Sequence, residues 1–202
     1  MKLIVLSTPK FFVEEDQILT ALFEEGLDLL HLRKPASEPV LSERLLTLIP
    51  QAYHNRIVVH NHFYLKEEFN LKGIHISKQE DNVPSGYKGI ITRTCYSLDE
   101  LAECRGKYDY LFLDSIFSGI SEEHRPASFT KEEIHDAARR GLIDRKVIAS
   151  GGITLENLSE VSDLGFGGAV VCGDLWNRFD VHSGLDYKAL LNHFRHLRKI
   201  AN

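Results

Sequence analysis

Polar and basic side chains follow several apolar runs of this sequence, and the second run ends in three of them, His31, Arg33 and Lys34. The guanidinium of an arginine binds phosphate through a fork of N–H donors. Histidine, with an ordinary pKa of about 6.5, gives and takes protons near neutral pH. We therefore predict that these three residues form a catalytic group. The alternative is that Arg33 pairs with a neighbouring carboxylate, such as that of Asp114, and only stabilises its surroundings.

A glycine pair, Gly151-Gly152, comes directly after the seventh apolar run and just before a predicted helix. Glycine lets the backbone approach an anion closely, and the N–H groups at a helix start point towards it. The turn Cys172-Gly173 follows the eighth run in the same way. The two turns together predict a phosphate site, although a glycine pair can also simply make a tight turn.

Two further groups could hold a metal ion. Alternate residues of a strand share a face, so His60 and His62 could converge after the third run, but no third ligand is specified and a transition metal is disfavoured. Glu80 and Asp81, which follow the fourth run, are carboxylates suited to Mg²⁺ or to acid–base chemistry. Exposed surface carboxylates are the alternative interpretation.

These residues need elements that bring them together, and the sequence alternates between apolar runs and helical patterns. Mostly continuous apolar runs are typical of parallel strands that are covered on both faces. Eight such units predict a (β/α)8 TIM barrel, in which chemistry lies at the carboxyl ends of the strands. The alternative, an open doubly wound sheet, lacks a GxGxxG loop after the first strand. The predicted strands are Leu3–Ser7, Leu27–Arg33, Arg56–Asn61, Gly73–Ser77, Ile90–Tyr96, Tyr108–Phe117, Lys146–Ser150 and Gly168–Cys172. The predicted helices are Val13–Gly26, Ser37–Ala52, Phe63–Phe69, one that opens at Ser97, Thr130–Arg140, one from Thr154 to Gly165, and Asp186–Ile200.

Composition agrees with one globular domain over residues 1–202. The chain is 43% hydrophobic and 26% charged, and its net charge of −5 provides no basic field for nucleic acid or anionic lipid. Its three cysteines form no closely spaced pair, which favours a reducing compartment over a disulfide framework. The N-terminal apolar run is too short for a signal sequence or a membrane span. We expect a cytoplasmic protein that binds neither nucleic acid nor membrane.

Seven segments together resemble the thiamine phosphate synthase/TenI family over nearly the whole chain. They are DLLHLRK, IVVHN, GIHIS, TCYSLDEL, DYLFLDSIF, VIASGGIT and GFGGAVVCGDLW. The resemblance implies a barrel enzyme that joins an aminopyrimidine diphosphate to a thiazole phosphate with Mg²⁺ and releases pyrophosphate. Arg33 matches the diphosphate-binding arginine of that family, and the SGGI loop and the turn after strand eight match its thiazole-phosphate site.

The resemblance also implies which residues contact the substrates and the metal. The expected substrate-binding residues are His60, Asn61, Thr94, Tyr96, Ser115, Ser150, Gly151, Gly152, Cys172 and Gly173. Glu80 and Asp81 align near a family magnesium ligand. The sequence departs from the synthase pattern where HLRKP replaces Gln-Leu-Arg-x-Lys and where His60-Asn61 replaces an Asn-Asp pair.

Thiamine phosphate synthase activity is therefore the leading functional prediction. His31 is similar to the TenI branch, so a thiazole tautomerase is an alternative, and a non-catalytic protein that binds a phosphorylated ligand is another. The expected partners are phosphorylated thiazole and pyrimidine molecules, together with a second copy of the chain in a homodimer.

Overall fold

A computed structural model of the chain describes residues 1–77, 82–120, 125–179 and 187–202. Eight parallel strands form a closed barrel in sequence order, and β8 pairs with β1 to complete the ring. The predicted (β/α)8 fold is confirmed, and the open-sheet alternative is wrong. The strands are β1 (Lys2–Leu6), β2 (Leu29–Leu32), β3 (Ile57–Val59), β4 (Gly73–Ile76), β5 (Ile90–Cys95), β6 (Tyr110–Leu113), β7 (Val147–Ala149) and β8 (Gly168–Val171).

Helices follow the strands and cover the outside of the barrel. They are α1 (Glu15–Glu24), α2 (Pro39–Leu48), α3 (Leu65–Glu68), α4 (Leu98–Cys104), α5 (Lys131–Arg139), α6 (Leu158–Asp163), α7 (Gly173–Trp176) and α8 (Lys188–Ala201), with a 3-10 helix at Gln51–Arg56. The predicted helix over Ser37–Ala52 ends early because Ile49 precedes a proline and adopts an extended conformation, with φ −77° and ψ 130°. The short helix α7 was not predicted.

Two of the predicted helix starts are fixed by side-chain caps. Ser97 accepts a hydrogen bond from the Glu100 N–H, and Thr130 forms a complete capping box with Glu133. At α4 the return bond differs from a capping box, because the Glu100 carboxylate accepts from the Tyr96 N–H. These caps fix the residues at which α4 and α5 begin.

The hydrophobic core has two layers. The larger layer lies between the strands and the surrounding helices. A smaller cluster fills the barrel interior and consists of Ile4, Leu29, Tyr110, Phe112, Ile148 and Val170. Inward-facing positions alternate along each strand, so the residues two places further along face the mouth of the barrel. Among the described residues, no helix is long and apolar enough to cross a membrane.

Candidate functional site

Three inward-facing histidines meet beneath the mouth of the barrel, and we call His31, His60 and His75 the imidazole cluster. His31 Nδ1 lies 2.9 Å from His60 Nε2, and His31 Nε2 lies 2.7 Å from the Tyr110 hydroxyl oxygen. His60 Nδ1 is in turn 3.3 Å from Ser77 Oγ. A continuous hydrogen-bonded chain therefore runs from the barrel interior to the end of β4.

The third imidazole is held separately by β5. His75 Nδ1 lies 2.7 Å from Thr92 Oγ1, and His75 Nε2 lies 2.8 Å from Thr94 Oγ1. Burial lowers the pKa of His75 to about 3 and also holds the pKa values of His31 and His60 well below their usual range. The cluster is consequently neutral near pH 7, with its ring nitrogens used as hydrogen-bond donors and acceptors.

The imidazole cluster does not fit a transition metal in this conformation. The rings of His60 and His75 are stacked, with centroids 4.1 Å apart and an interplanar angle of 20°. Since the lone pairs of an imidazole lie in its ring plane, stacked rings cannot both aim at one ion. His62, which could have converged with His60, instead has its Nε2 3.0 Å from the Ser37 carbonyl oxygen.

Arg33 is exposed at the mouth, and Ser7 fixes its backbone by accepting from the Arg33 N–H and donating to the Arg33 carbonyl. Burial raises the pKa values of Tyr96 and Cys172, and the guanidinium charge partly opposes both shifts. That charge therefore acts across the mouth, from β5 to β8. Within the described parts of the chain Arg33 has no ion pair, so the alternative pairing with Asp114 is not formed.

Lys34 is not brought together with Arg33. Its side chain is 1% exposed, and Nζ lies 2.5 Å from Glu15 Oε1 and 3.0 Å from the Lys10 carbonyl oxygen. The ammonium also lies 4.5 Å from the centre of the Phe11 ring. The β1–α1 segment thus encloses Lys34, which gives this side chain a structural role instead of the predicted position among the catalytic residues.

The ends of β6 and β7 are packed tightly together. Ser150 Oγ donates to Asp114 Oδ1 at 2.7 Å, and Ser115 adopts a left-handed φ of 62°. A Cβ on Gly151 would lie 2.6 Å from the Ser115 Cα, and one on Gly152 would overlap the Ser118 carbonyl. At the glycine pair the backbone therefore closely approaches the segment after β6. This contact by itself requires glycine at both positions.

The turn after β8 lies next to this loop. Cys172 is half-buried, and burial raises the pKa of its thiol to about 11, which does not favour a nucleophilic thiolate. Gly173 begins α7, and the first N–H groups of a helix have no partner within that helix. In the described structure the N–H groups of Gly151, Gly152 and Gly173 have no backbone acceptor. These groups can donate to an anion.

The remaining predicted substrate residues lie around the same mouth. Asn61 Oδ1 accepts from the Lys34 N–H at 3.0 Å. Thr94 supports His75, as described above. The Tyr96 side chain is 50% exposed, and its hydroxyl donates to the Ser77 carbonyl at 3.4 Å. These residues supply polar groups at the carboxyl ends of β3 and β5, opposite the loops after β7 and β8.

The described residues after β3 offer few ligands for magnesium. Mg²⁺ prefers six oxygen ligands in octahedral geometry. After β3 the chain offers one amide oxygen, from Asn61, which already accepts a backbone hydrogen bond, and the groups beside it are imidazoles. The predicted ligands Glu80 and Asp81 lie outside the described residues. We therefore derive no step of the chemistry through a metal.

A second group of metal-ligating atoms lies away from the mouth. Cys95, Glu100 and Cys104 bring their ligand atoms within 4.8 Å of one another between β5 and α4. The Glu100 carboxylate is paired with Arg93 at 2.8 Å, and burial raises the pKa of Cys95 to about 12. The positive charge of Arg93 and the protonated thiol of Cys95 do not favour metal binding at this place. Cys95 and Cys104 are not joined by a disulfide.

Sequence reasoning missed several residues that shape the site. Tyr110 was not recognised as a member of the hydrogen-bonded chain, His75 was not recognised as the third inward-facing imidazole, and Glu15 was not recognised as the partner of Lys34. The period-two alternation of strand residues could have identified the inward-facing histidines. Nothing in the local pattern around Glu15 predicts its contact with a lysine that follows β2.

Comparisons with known proteins identify the family of the chain. The family model for thiamine monophosphate synthase matches residues 4–175. A thiamine-phosphate synthase of Staphylococcus carnosus is 26% identical over 157 residues, which cover 72% of this chain and 74% of that protein.

Solved structures extend the similarity to the whole barrel. A crystal structure of thiamine phosphate pyrophosphorylase from Bacteroides thetaiotaomicron is 53% identical, with a TM-score of 0.90 over 100% of this chain and 98% of that one. A thiamine phosphate pyrophosphorylase from Pyrococcus furiosus, at 21% identity and a TM-score of 0.76 over 99% of this chain and 95% of that one, shares the fold. The chain therefore belongs to the thiamine monophosphate synthase family, a family of enzymes of thiamine biosynthesis.

Proposed function

We propose that this protein is a thiamine phosphate synthase, which couples an aminopyrimidine diphosphate with a thiazole phosphate and releases pyrophosphate. One observation carries the proposal beyond family membership. Two groups at the barrel mouth can bind anions: the exposed guanidinium of Arg33 on the β2 side, and the N–H groups of Gly151, Gly152 and Gly173, which have no backbone acceptor among the described residues. A reaction that joins two phosphorylated molecules requires two such places.

Membership of the family implies phosphorylated small-molecule substrates. We assign the thiazole phosphate to the loops that contain Gly151, Gly152 and Gly173, because their N–H groups can donate to phosphate oxygens without introducing a charge. Ser150 and Ser115 hold the first of these loops against β6. The thiazole ring would then extend towards the centre of the mouth.

We assign the diphosphate of the pyrimidine substrate to Arg33. Its guanidinium is the group best suited to two adjacent phosphates, because it donates several hydrogen bonds in one plane. The imidazole cluster below it is neutral, so it provides polar contacts without a second positive charge. Tyr96 and Asn61 supply further polar contacts at the rim.

The chemistry follows from these positions. The C–O bond to the diphosphate breaks, the electron pair leaves with pyrophosphate, and the thiazole nitrogen forms the new C–N bond with the resulting pyrimidine cation. Negative charge grows on the leaving group in the transition state, so Arg33 stabilises that state more than the bound substrate. The loops after β7 and β8 hold the nucleophile in place. Magnesium as cofactor remains a prediction from the sequence.

The test is to incubate the purified protein with thiazole phosphate, with and without aminopyrimidine diphosphate and Mg²⁺, and to measure thiamine phosphate and pyrophosphate. We expect both products in equal amounts and only when both substrates are present. Isomerisation of the thiazole alone would instead support the tautomerase alternative. Ligand binding without any turnover would support the non-catalytic alternative.

A variant separates the two anion sites. Arg33→Ala should raise the KM for the aminopyrimidine diphosphate at least tenfold, since a hydrogen bond to a charged group contributes roughly 1.5–3 kcal/mol. The affinity for thiazole phosphate should stay near normal. An equal loss of both affinities would contradict the assignment.

Light scattering would test the proposed homodimer by a mass near twice 23.0 kDa.

A further inference from the structure

The carboxylate of Asp174 is buried beside the turn after β8. The residue is 7% exposed and follows Gly173 directly in α7. Asp174 Oδ2 accepts from His193 Nε2 at 2.6 Å and from the Leu155 N–H at 3.1 Å. Asp174 Oδ1 accepts from Arg178 Nη2 at 3.2 Å. Both oxygens of this buried acid are therefore occupied by protein donors.

These donors come from three different places in the fold. Leu155 lies in the loop after β7, only three residues beyond Gly152, whereas His193 lies on the outer helix α8. Arg178 follows α7 and also donates from Nε to the Asp174 carbonyl at 2.9 Å. One carboxylate consequently ties the loop after β7 to the start of α7 and to the helix behind both.

We propose that Asp174 is a positioning residue for the phosphate site, because it fixes the spacing between the loop after β7 and the turn after β8. The identity of the phosphorylated ligand, thiazole phosphate, rests on the proposed function. Asp174 acts through the backbone of these two loops and does not contact the ligand. Hydrogen bonds to an ionised carboxylate are shorter and stronger than neutral ones, so this link resists displacement of either loop.

The contacts of Asp174 do not suit a catalytic acid or base. His193 and Asp174 are both less than a tenth exposed, and α8 packs against the outside of the barrel. The His193 imidazole is directed at the carboxylate, with no hydroxyl or thiol among their hydrogen-bond partners in the described residues. The pair therefore connects elements and performs no proton transfer on a substrate.

The test compares Asp174→Ala with Asp174→Asn, which keeps an acceptor oxygen for the Leu155 N–H. We expect the alanine variant to bind inorganic phosphate and thiazole phosphate about tenfold more weakly, equivalent to about 1.4 kcal/mol. Its KM for thiazole phosphate should rise by a similar factor, while kcat and the KM for aminopyrimidine diphosphate change less than about twofold. The asparagine variant should recover most of the affinity.

Amide hydrogen exchange at Leu155 provides a direct readout, because this N–H loses its acceptor in Asp174→Ala. Arg198→Ala is the matched control, since it removes a different ion pair of α8, the one with Asp28 at 2.6 Å. If Asp174→Ala does not fold, His193→Phe tests the same link from α8, because it removes the donor to Asp174 Oδ2, and it should weaken phosphate binding.

Unchanged phosphate affinity in a folded Asp174→Ala variant with faster Leu155 exchange would overturn the inference, as would an equal loss in the Arg198→Ala control. Failure of the wild-type protein to bind any phosphate would also overturn it. Failure of the proposed function has a different signature: phosphate binding that depends on Asp174, but no formation of thiamine phosphate.

Discussion

Replacing Lys34 by Met should destabilise the protein in a manner that depends on pH. Lys34 and Glu15 form an ion pair in which each side chain is 1% exposed, and Glu15 Oε2 has no hydrogen-bond partner among the described residues. Removing one partner of a buried ion pair costs about 3–5 kcal/mol. We expect a loss of this size in the free energy of unfolding at about pH 8.

The pH dependence follows from Glu15. Burial raises the pKa of Glu15 from 4.5 to about 7 even beside Lys34. Between these values the folded state holds a proton on Glu15 that the unfolded state has released, so the contribution of Glu15 to the free energy of unfolding falls as the pH rises through this window. A shift of that size corresponds to roughly 3 kcal/mol. At about pH 5.5 the carboxyl is mostly protonated, and Lys34→Met should cost less than half as much there.

Urea denaturation, followed by the fluorescence of the single tryptophan, Trp176, would measure both effects. The control is the double variant Lys34→Met with Glu15→Met, because replacing both members of a buried pair by apolar residues is often neutral or stabilising. A loss below about 1 kcal/mol at pH 8, or a double variant as unstable as the single one, would refute the reasoning.

Three further predictions concern the barrel mouth. Gly151→Ala should lower the free energy of unfolding by about 1–3 kcal/mol more than Gly165→Ala does. Both glycines have φ 85°, but of the two only a Cβ at position 151 would meet backbone atoms within 3 Å. Equal effects of the two variants in thermal denaturation would argue against this contact. Tyr110→Phe should cost about 1–2 kcal/mol by leaving His31 Nε2 without its partner, and ¹⁵N NMR should show an altered His31 tautomer balance. The contribution of His75 to stability should fall as the pH drops from 6.5 towards 3, opposite in sign to that of Glu15, because the unfolded state protonates His75 before the folded state does. His75→Asn should therefore reduce the proton uptake on unfolding measured across this range.

The fold could be predicted because each strand carries a local signal. Continuous apolar runs such as those around Ile57–Val59 and Val147–Ala149 have no exposed face, which requires parallel strands with helices on the outside. Strand ends were placed less accurately. The predicted strand at Tyr108–Phe117 is observed only over Tyr110–Leu113, because Ser115 turns the chain with a positive φ.

The candidate site was predicted less completely, because it depends on contacts between distant segments. Arg33 and the glycine pair follow from their positions after strands, and the structure places them at one mouth. Lys34 illustrates the limit, since the next residue along an extended chain faces the other side. Its burial against Glu15 depends on the path of the β1–α1 segment, which local sequence patterns do not specify.

The neutral imidazoles inside the barrel also restrict how its strands can align. A shift in the register of β3 by one residue would turn the His60 side chain towards the apolar core between strands and helices. His31 Nδ1 would then lose its hydrogen-bond partner, His60 Nε2. An interior built only from branched aliphatic side chains would impose no such directional penalty. The imidazole cluster can thus specify the register of β2, β3 and β4, because other registers that bury a similar apolar area would break its hydrogen bonds.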